Sequence, residues 1–418
     1  MAGSSLPRFY ERGRAARLEA LRGAAALDDA DIAILAGCGG IGFEEADAMV
    51  ENAVGTMGVP LGIATNFVVN SRDVLVPMAT EESSVIAAAS RGARAARAAG
   101  GFAASAGEAR MVGQVQVVGG YADDAEARVA AAAGEILAAA NSASRTLPGL
   151  GRGAKSVSCR RVRTGASEQL VVELDVDVGD AMGANATNSM CEAAAPAIEA
   201  AAGGRALLRI LSNYSPRRMA AATATFPAGD VGGEGAVRDM VLAYELARHD
   251  MGRAVTHNKG IMNGIAAVAT ATGQDVRAIE AAAHAHASLG GAYSSLSEWS
   301  VGPSGDLVGR LEVPLAVGTV GGISGIHPTA RVCAKVMRAS APADLACVMA
   351  AVGLAQNYSA MRALVTTGIQ AGHMRLHARN LAIAAGAAPG RAGEVAGRMV
   401  SEGSISEARA REILAGRE

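Results

Sequence analysis

The stretch "SVSCRRVRTGASEQLVVELDVDV" (156–178) reads as two strands, 156–164 and 168–178, joined by the turn "GAS". Apolar residues alternate along the second strand, as expected where one sheet face is buried. Upstream, "QVQVVG" (114–119) reads as a strand and "DDAEARVAAAAGEILAAANS" (123–142) as a helix. Downstream, "TNSMCEAAAPAIEAAAGG" (187–204) reads as a helix and "ALLRIL" (206–211) as a strand. The order is β-α-β-β-α-β, a ferredoxin-like unit.

This unit sits inside a mostly helical chain, so the expected class is α+β with an inserted ferredoxin-like domain. The expected boundaries are 1–109 and 213–372 for a large domain in two parts, 110–212 for the insert, and 373–418 for a mobile helical C-terminal domain. Short helices fill the first 50 residues. "DVLVPM" (73–78) reads as a strand, and "EESSVIAAASRGARAARAAGG" (81–101) as a helix stopped by paired glycines. The charge-free window 52–71 contains Pro60, glycines and asparagines, and reads as buried loop and strand rather than a membrane span. A glycine-rich, strand-like region follows at 307–325.

At 418 residues the chain is long enough for two or three domains. Its net charge of −2 and lack of a basic, aromatic stripe argue against nucleic acid as a partner. The apolar half is mainly alanine and valine, which suits closely packed helices. The five cysteines are widely spaced without a CxxC, which points to a reducing cytoplasm and no structural zinc. The first residues carry early charges and no apolar core, unlike a secretory signal.

Lysine and arginine together number 38, yet only Lys155, Lys259 and Lys335 are lysine. Lys259 lies in "VTHNKGIMNG" (255–264), read as a glycine-rich loop. Asp275 follows sixteen residues later at a helix start, and could partner a buried lysine. "GCGGIG" (37–42) fits a dinucleotide fingerprint, but it follows a helix and precedes Glu44 and Glu45, so capping and a turn explain it better. "DVGDAMGAN" (177–185) lies between a strand end and a helix start. Asp180 could cap there, while Gly183 and Ala184 expose a helix N-terminus that favours phosphate; an ordinary turn also fits. In "MATEESSV" (78–85), one of Glu81 and Glu82 could cap the helix and the other serve as an acid. His373 and His377 are four apart, but no glutamate or third ligand completes a metal site, so one working histidine is the better reading.

Taken together and in order, several stretches resemble the hydroxymethylglutaryl-CoA reductase family in its soluble class II form. They are "ENAVGTMGVPLGIATNFVVN", "VPMATEESSVIAAAS", "DAMGANATNSMCEA", "RILSNY", "AVTHNKGIMNG" and "GLAQNYSAMRALVTTGIQAGHMRLHARN". They extend from about residue 8 to 385. The resemblance implies a large helical domain, an inserted dinucleotide-binding domain, a mobile C-terminal domain, and a homodimer or higher even oligomer with active sites shared between subunits. It implies catalytic roles for Glu82, Lys259, Asp275 and His373. Ser84 and Arg253 match positions that hold the substrate's free carboxylate, and Asn213, Asn263 and Gln356 match polar positions lining the site. Asp180, Met182, Gly183, Ala184 and Asn185 match the dinucleotide loop.

The implied reaction interconverts HMG-CoA with mevalonate and CoA through two hydride transfers from NADPH or NADH, without a metal, in the cytoplasm and away from any membrane. Where NAD-preferring members carry an acidic residue, this chain has Lys155 and Ser156, which leans the expectation toward NADPH. Two rival readings are a lysine Schiff-base lyase acting on an acyl-CoA and a non-catalytic CoA-binding protein. The lysine composition leaves Lys335 unexplained.

Overall fold

The computed structural model describes residues 3–38, 40–165, 167–366, 368, 378–388 and 390–416. Three short helices, α1 (Arg14–Ala25), α2 (Asp29–Ala36) and α3 (Phe43–Met49), lead into β1 (Leu61–Val69), β2 (Arg72–Ala79), α4 (Val85–Arg97) and β3 (Phe102–Ala106). The middle block comprises β4 (Arg110–Tyr121), α5 (Ala125–Ala131), α6 (Ala133–Ser142), α7 (Thr146–Gly149), β5 (Gly153–Arg163), β6 (Glu168–Asp177), α8 (Ala184–Ala202) and β7 (Gly203–Ser212). Then come β8 (Met219–Phe226), α9 (Ala228–Val231), α10 (Glu234–His249), α11 (Met251–Ala271), α12 (Val276–His286), β9 (Ser297–Val301) and β10 (Leu307–Pro314). The chain continues through α13 (Gly322–Ile326), α14 (Pro328–Met337) and α15 (Pro342–Val365) to α16 (378–384), α17 (Ala392–Ser401) and α18 (Glu407–Leu414).

The middle block forms a four-stranded sheet in the order β5-β6-β4-β7, antiparallel throughout. That is the order a ferredoxin-like unit requires. Leu170, Val172, Leu174 and Val176 of β6 are buried at every second position, where they pack against Met190, Ala194 and Ile198 of α8.

A second sheet of six strands, β2-β1-β3-β8-β10-β9, accompanies the helices outside the block. The buried helix α15 packs against it, with α4 and α11 on its flanks. Alanine and glycine make this closeness possible. A Cβ on Gly92 of α4 would lie 2.2 Å from the Ala355 carbonyl oxygen of α15. A Cβ on Gly264 of α11 would lie 3.1 Å from Gln356 Cβ and Val352 Cγ1. The scarce aromatics gather in this core. Phe226 stacks on Tyr358 at 4.1 Å between centroids and lies 5.6 Å from Trp299.

Three local expectations need correction. Residues 52–60 are an extended, largely exposed segment rather than a buried loop, with Val54 99% and Met57 90% accessible. "VTHNKGIMNG" is the interior of α11, not a loop. Neither glutamate caps α4, because its N-cap position is Ser84, in a left-handed conformation with φ 78°. Lys335 gains a structural explanation: its Nζ donates to both carboxylate oxygens of Asp31, at 2.7 and 2.9 Å, tying α14 to α2.

Candidate active site

Helix α11 separates two kinds of residue by face. Its N-cap Asp250 accepts from the Arg253 N–H at 2.7 Å. On the buried face, Asn258 donates to the Ser294 carbonyl and accepts from the Leu296 N–H. His257 Nε2 lies 2.8 Å from Ser297 Oγ and 3.2 Å from Asn357 Nδ2. Trp299 Nε1 completes that network by donating to Asn357 Oδ1 at 2.8 Å. Burial pushes the His257 pKa down to about 3, with the Arg253 charge acting in the same direction. Histidine and asparagine therefore fix the helix, and the intervening turn presents Lys259 outward.

Lys259 Nζ donates to Glu82 Oε2 at 2.7 Å. Asn263, one turn further along α11, approaches both oxygens of the same carboxylate at 3.4 Å. The Glu82 N–H donates to Thr80 Oγ1, which fixes the turn between β2 and α4. Gln356 packs against Gly264, next to Asn263, and its Oε1 is buried without a hydrogen-bond partner among the described residues. Ser84 Oγ is likewise buried without a partner among the described residues. The half-buried Arg253 guanidinium has no ion-pair partner among the described residues, and burial lowers its pKa. The ammonium of Lys259 and the amide of Asn263 thus both contact the carboxylate of Glu82, with Ser84 two residues beyond Glu82 and Arg253 earlier on α11, beside His257. The Lys259 side chain is still 60% exposed.

Asp275 is elsewhere. It is the N-cap of α12, accepting from the Ala278 N–H at 3.0 Å, and its ion-pair partner is Arg277 at 3.4 Å. The expected pairing with Lys259 is absent among the described residues. Helix α11 runs on from Lys259 to Ala271, roughly 18 Å of axis at about 1.5 Å per residue, so one chain keeps the two apart.

Asp275 is linked to the "DAMGAN" loop through its neighbour Gln274. Gln274 donates to the Gly318 carbonyl at 3.0 Å and accepts from the Gly318 N–H at 2.9 Å. Thr319 N–H then donates to the Asp180 carbonyl at 2.8 Å. Asp180 does not cap α8. The N-cap is Gly183, whose φ of 98° suits glycine, and whose added Cβ would lie 2.4 Å from Val178 Cγ1. The sequence reading missed Arg218, which is 5% exposed and donates to the carbonyls of Met182 and Ala181 at 2.6 and 3.0 Å, and to that of Val317. Burial lowers its pKa to about 10, opposed by Asp177. Its neighbour Arg217 is exposed and paired with Glu108 and Asp175, so "PRR" alone does not reveal which arginine turns inward.

Asn213 is exposed beyond β7, beside Tyr214, whose ring faces His286 at 6.5 Å. Lys155 and Ser156 are exposed at a bulge on the edge strand β5, and Lys155 Nζ donates to the Gly151 carbonyl. His373 lies outside the described residues, as does His377. A cavity of about 430 Å³ is lined by Gln274, Thr319, Arg331 and Arg338, and by none of the Lys259 cluster.

Residues 14–378 match the hydroxymethylglutaryl-coenzyme A reductase family. The chain belongs to that family. It is 46% identical over 413 residues to the 3-hydroxy-3-methylglutaryl-coenzyme A reductase of Archaeoglobus fulgidus, covering 98% of this chain and 94% of that one. It is 33% identical to a probable reductase of Borreliella burgdorferi, over 80% and 77% of the two chains. Its fold matches the class II reductase of Streptococcus pneumoniae bound to NADPH in open conformations, with TM-score 0.82, 36% identity, and coverage of 97% and 99%. A second structure of the Streptococcus pneumoniae reductase superposes with TM-score 0.84 at 35% identity, covering 99% of each chain. As a reductase of this family the chain is an oxidoreductase. Among its described residues no single helix is long and apolar enough to cross a membrane.

Proposed function

We propose that the protein interconverts HMG-CoA with mevalonate and CoA, using two NADPH per turnover, at a site completed by two copies of the chain. The Lys259–Glu82–Asn263 constellation carries this reading, held on the same scaffold as in the reductases above. The cofactor, when bound, supplies hydride. The residues around the "DAMGAN" loop fit it: a glycine that tolerates no side chain, at a helix N-terminus that attracts phosphate.

Each step then has an owner. Arg253 and Ser84, whose side chains are polar and without hydrogen-bond or ion-pair partners among the described residues, take the free carboxylate of the substrate. Lys259 donates to the thioester oxygen as it gains negative charge, which stabilises the hemithioacetal oxyanion. His373 gives the departing CoA thiolate its proton. Glu82, in its neutral form at that stage, protonates the second oxyanion, formed when the aldehyde is reduced. Gln356 and Asn263 hold the reacting oxygens in line. Lys259 is salt-bridged, an arrangement suited to an ammonium and not to the free amine that a Schiff-base lyase needs.

A homodimer explains where Asp275 acts. Lys259 shares its helical stripe with the exposed Met251 and Val255, 66% and 50% accessible at four-residue spacing. Such a stripe suits burial against a second copy. The partner's cofactor loop and Asp275 would then cover Lys259, and Asn213 would complete the wall. Residues 110–212 act as the cofactor unit, and the segment from 373 opens for the exchange of two cofactor molecules. An assay of both products tests the reaction: two NADPH consumed per CoA released is expected, and CoA release without NADPH oxidation would overturn it.

A further inference from the structure

Arg218 is a buried cation without a carboxylate in ion-pair contact among the described residues. Its position explains what it could do. It follows β7 and immediately precedes β8, where the chain passes from the four-stranded sheet back to the six-stranded one. Its own carbonyl accepts from the Leu315 N–H at 2.9 Å. Its guanidinium gathers the carbonyls of Ala181, Met182 and Val317 from two further passages of chain. A bridge between Ala181 and Val320, and Thr319 donating to Asp180, fasten the same two passages.

We propose that Arg218 is a positioning residue for the cofactor: it fixes the 178–183 loop so that the head of α8 meets the cofactor's phosphates. The peptide plane supplies the link. In a trans peptide the carbonyl and the following N–H point in opposite directions. Drawing the Met182 carbonyl onto the guanidinium turns the Gly183 N–H the other way, beside the free N–H groups of the first turn of α8. The second effect is electrostatic. Carbonyl dipoles only partly compensate a guanidinium removed from water. The phosphates of a dinucleotide, arriving on the far side of the loop, add the missing negative charge. A lysine in its place would offer one compact donor group, poorly shaped to reach three divergent carbonyls.

This rests on the reading of the "DAMGAN" loop as the cofactor site, and the experiment separates the two. Arg218→Met, Arg218→Lys and Asn185→Glu are compared in the full-length protein by steady-state kinetics and by the rise in Tm that NADPH and HMG-CoA each produce. Both Arg218 variants should raise KM for NADPH about tenfold or more, the scale of lost bonds to a charged group, with KM for HMG-CoA changed by less than about twofold. The NADPH-induced rise in Tm should shrink while the rise with HMG-CoA stays. Asn185→Glu, which places a carboxylate at the helix head, should abolish the NADPH response alone. If Asn185→Glu binds NADPH normally, the cofactor site is misplaced. If Asn185→Glu loses NADPH binding while the Arg218 variants keep it, or if their two KM values rise in parallel with a lowered Tm, the positioning role is wrong. Should Arg218→Met fail to fold, Arg218→Lys decides alone.

Discussion

Lys259 and Asp275 lie on consecutive helices, yet they belong to different surroundings. Lys259 stands on the exposed face of α11, beside a carboxylate delivered by the turn before α4. Asp275 stands beyond the other end of α11, joined through Gln274 and Gly318 to the loop that heads α8. One cluster is built by close helix packing, the other by hydrogen bonds between loops. The difference teaches that residues close in sequence are held in separate surroundings by different kinds of contact. Each is ordered on its own.

The sharpest way to break this comparison is genetic complementation. Lys259→Ala should reduce kcat by about 10²–10³, as expected on removal of one donor to a developing oxyanion, with Tm nearly unchanged. Asp275→Ala should also be severely impaired. Co-expressed, the two inactive variants should regain about a quarter of wild-type activity, since half of randomly paired dimers would hold one intact site. No recovery would place both residues in one chain's site.

The packing half of the comparison is tested through Gly92. Gly92→Ala forces a Cβ to 2.2 Å from a backbone oxygen and should cost about 1–3 kcal/mol in denaturant unfolding. Substrate KM values should change as Glu82 shifts with α4. A neutral effect on stability would show that the helices can separate freely.

Acid should loosen the buried face of α11. His257 is held neutral in the folded state, with a pKa near 3 against an ordinary 6.5, so below about pH 6 the unfolded chain binds a proton that the native state refuses. Stability should fall with decreasing pH by at most about 1.4 kcal/mol per unit from this group, and the slope should flatten in His257→Gln. An unchanged slope would remove His257 as the cause. The smallest effect expected is that of Lys335→Met, whose ammonium is held by Asp31 and makes no hydrogen bond or ion pair with Lys259, Glu82 or Asp275: Tm lower by about 1–3 °C, kcat nearly unchanged.

Legibility followed the kind of interaction. The strands and helices of the four-stranded unit were readable because β6 alternates and α8 is long and alanine-rich. Strands β3 "FAASA" and β8 "AAATATF" were not read, since alanine carries little strand preference and only the neighbouring strands and α15 make them sheet. The same composition hid α11, where glycines at 260 and 264 suggested a loop. In the fold, Gly264 admits α15 and Gly260 faces open space.

The sequence by itself determined the class of fold and the family, because periodicity and motif are local and survive in one dimension. Only the tertiary structure decided which side chains meet. Glu82 reaches Lys259 across 177 positions of chain, Arg218 turns inward while Arg217 does not, and Asp275 is kept from its expected partner by the length of one helix. Contacts of that kind depend on how rigid elements cross in space, and no spacing along the chain encodes them.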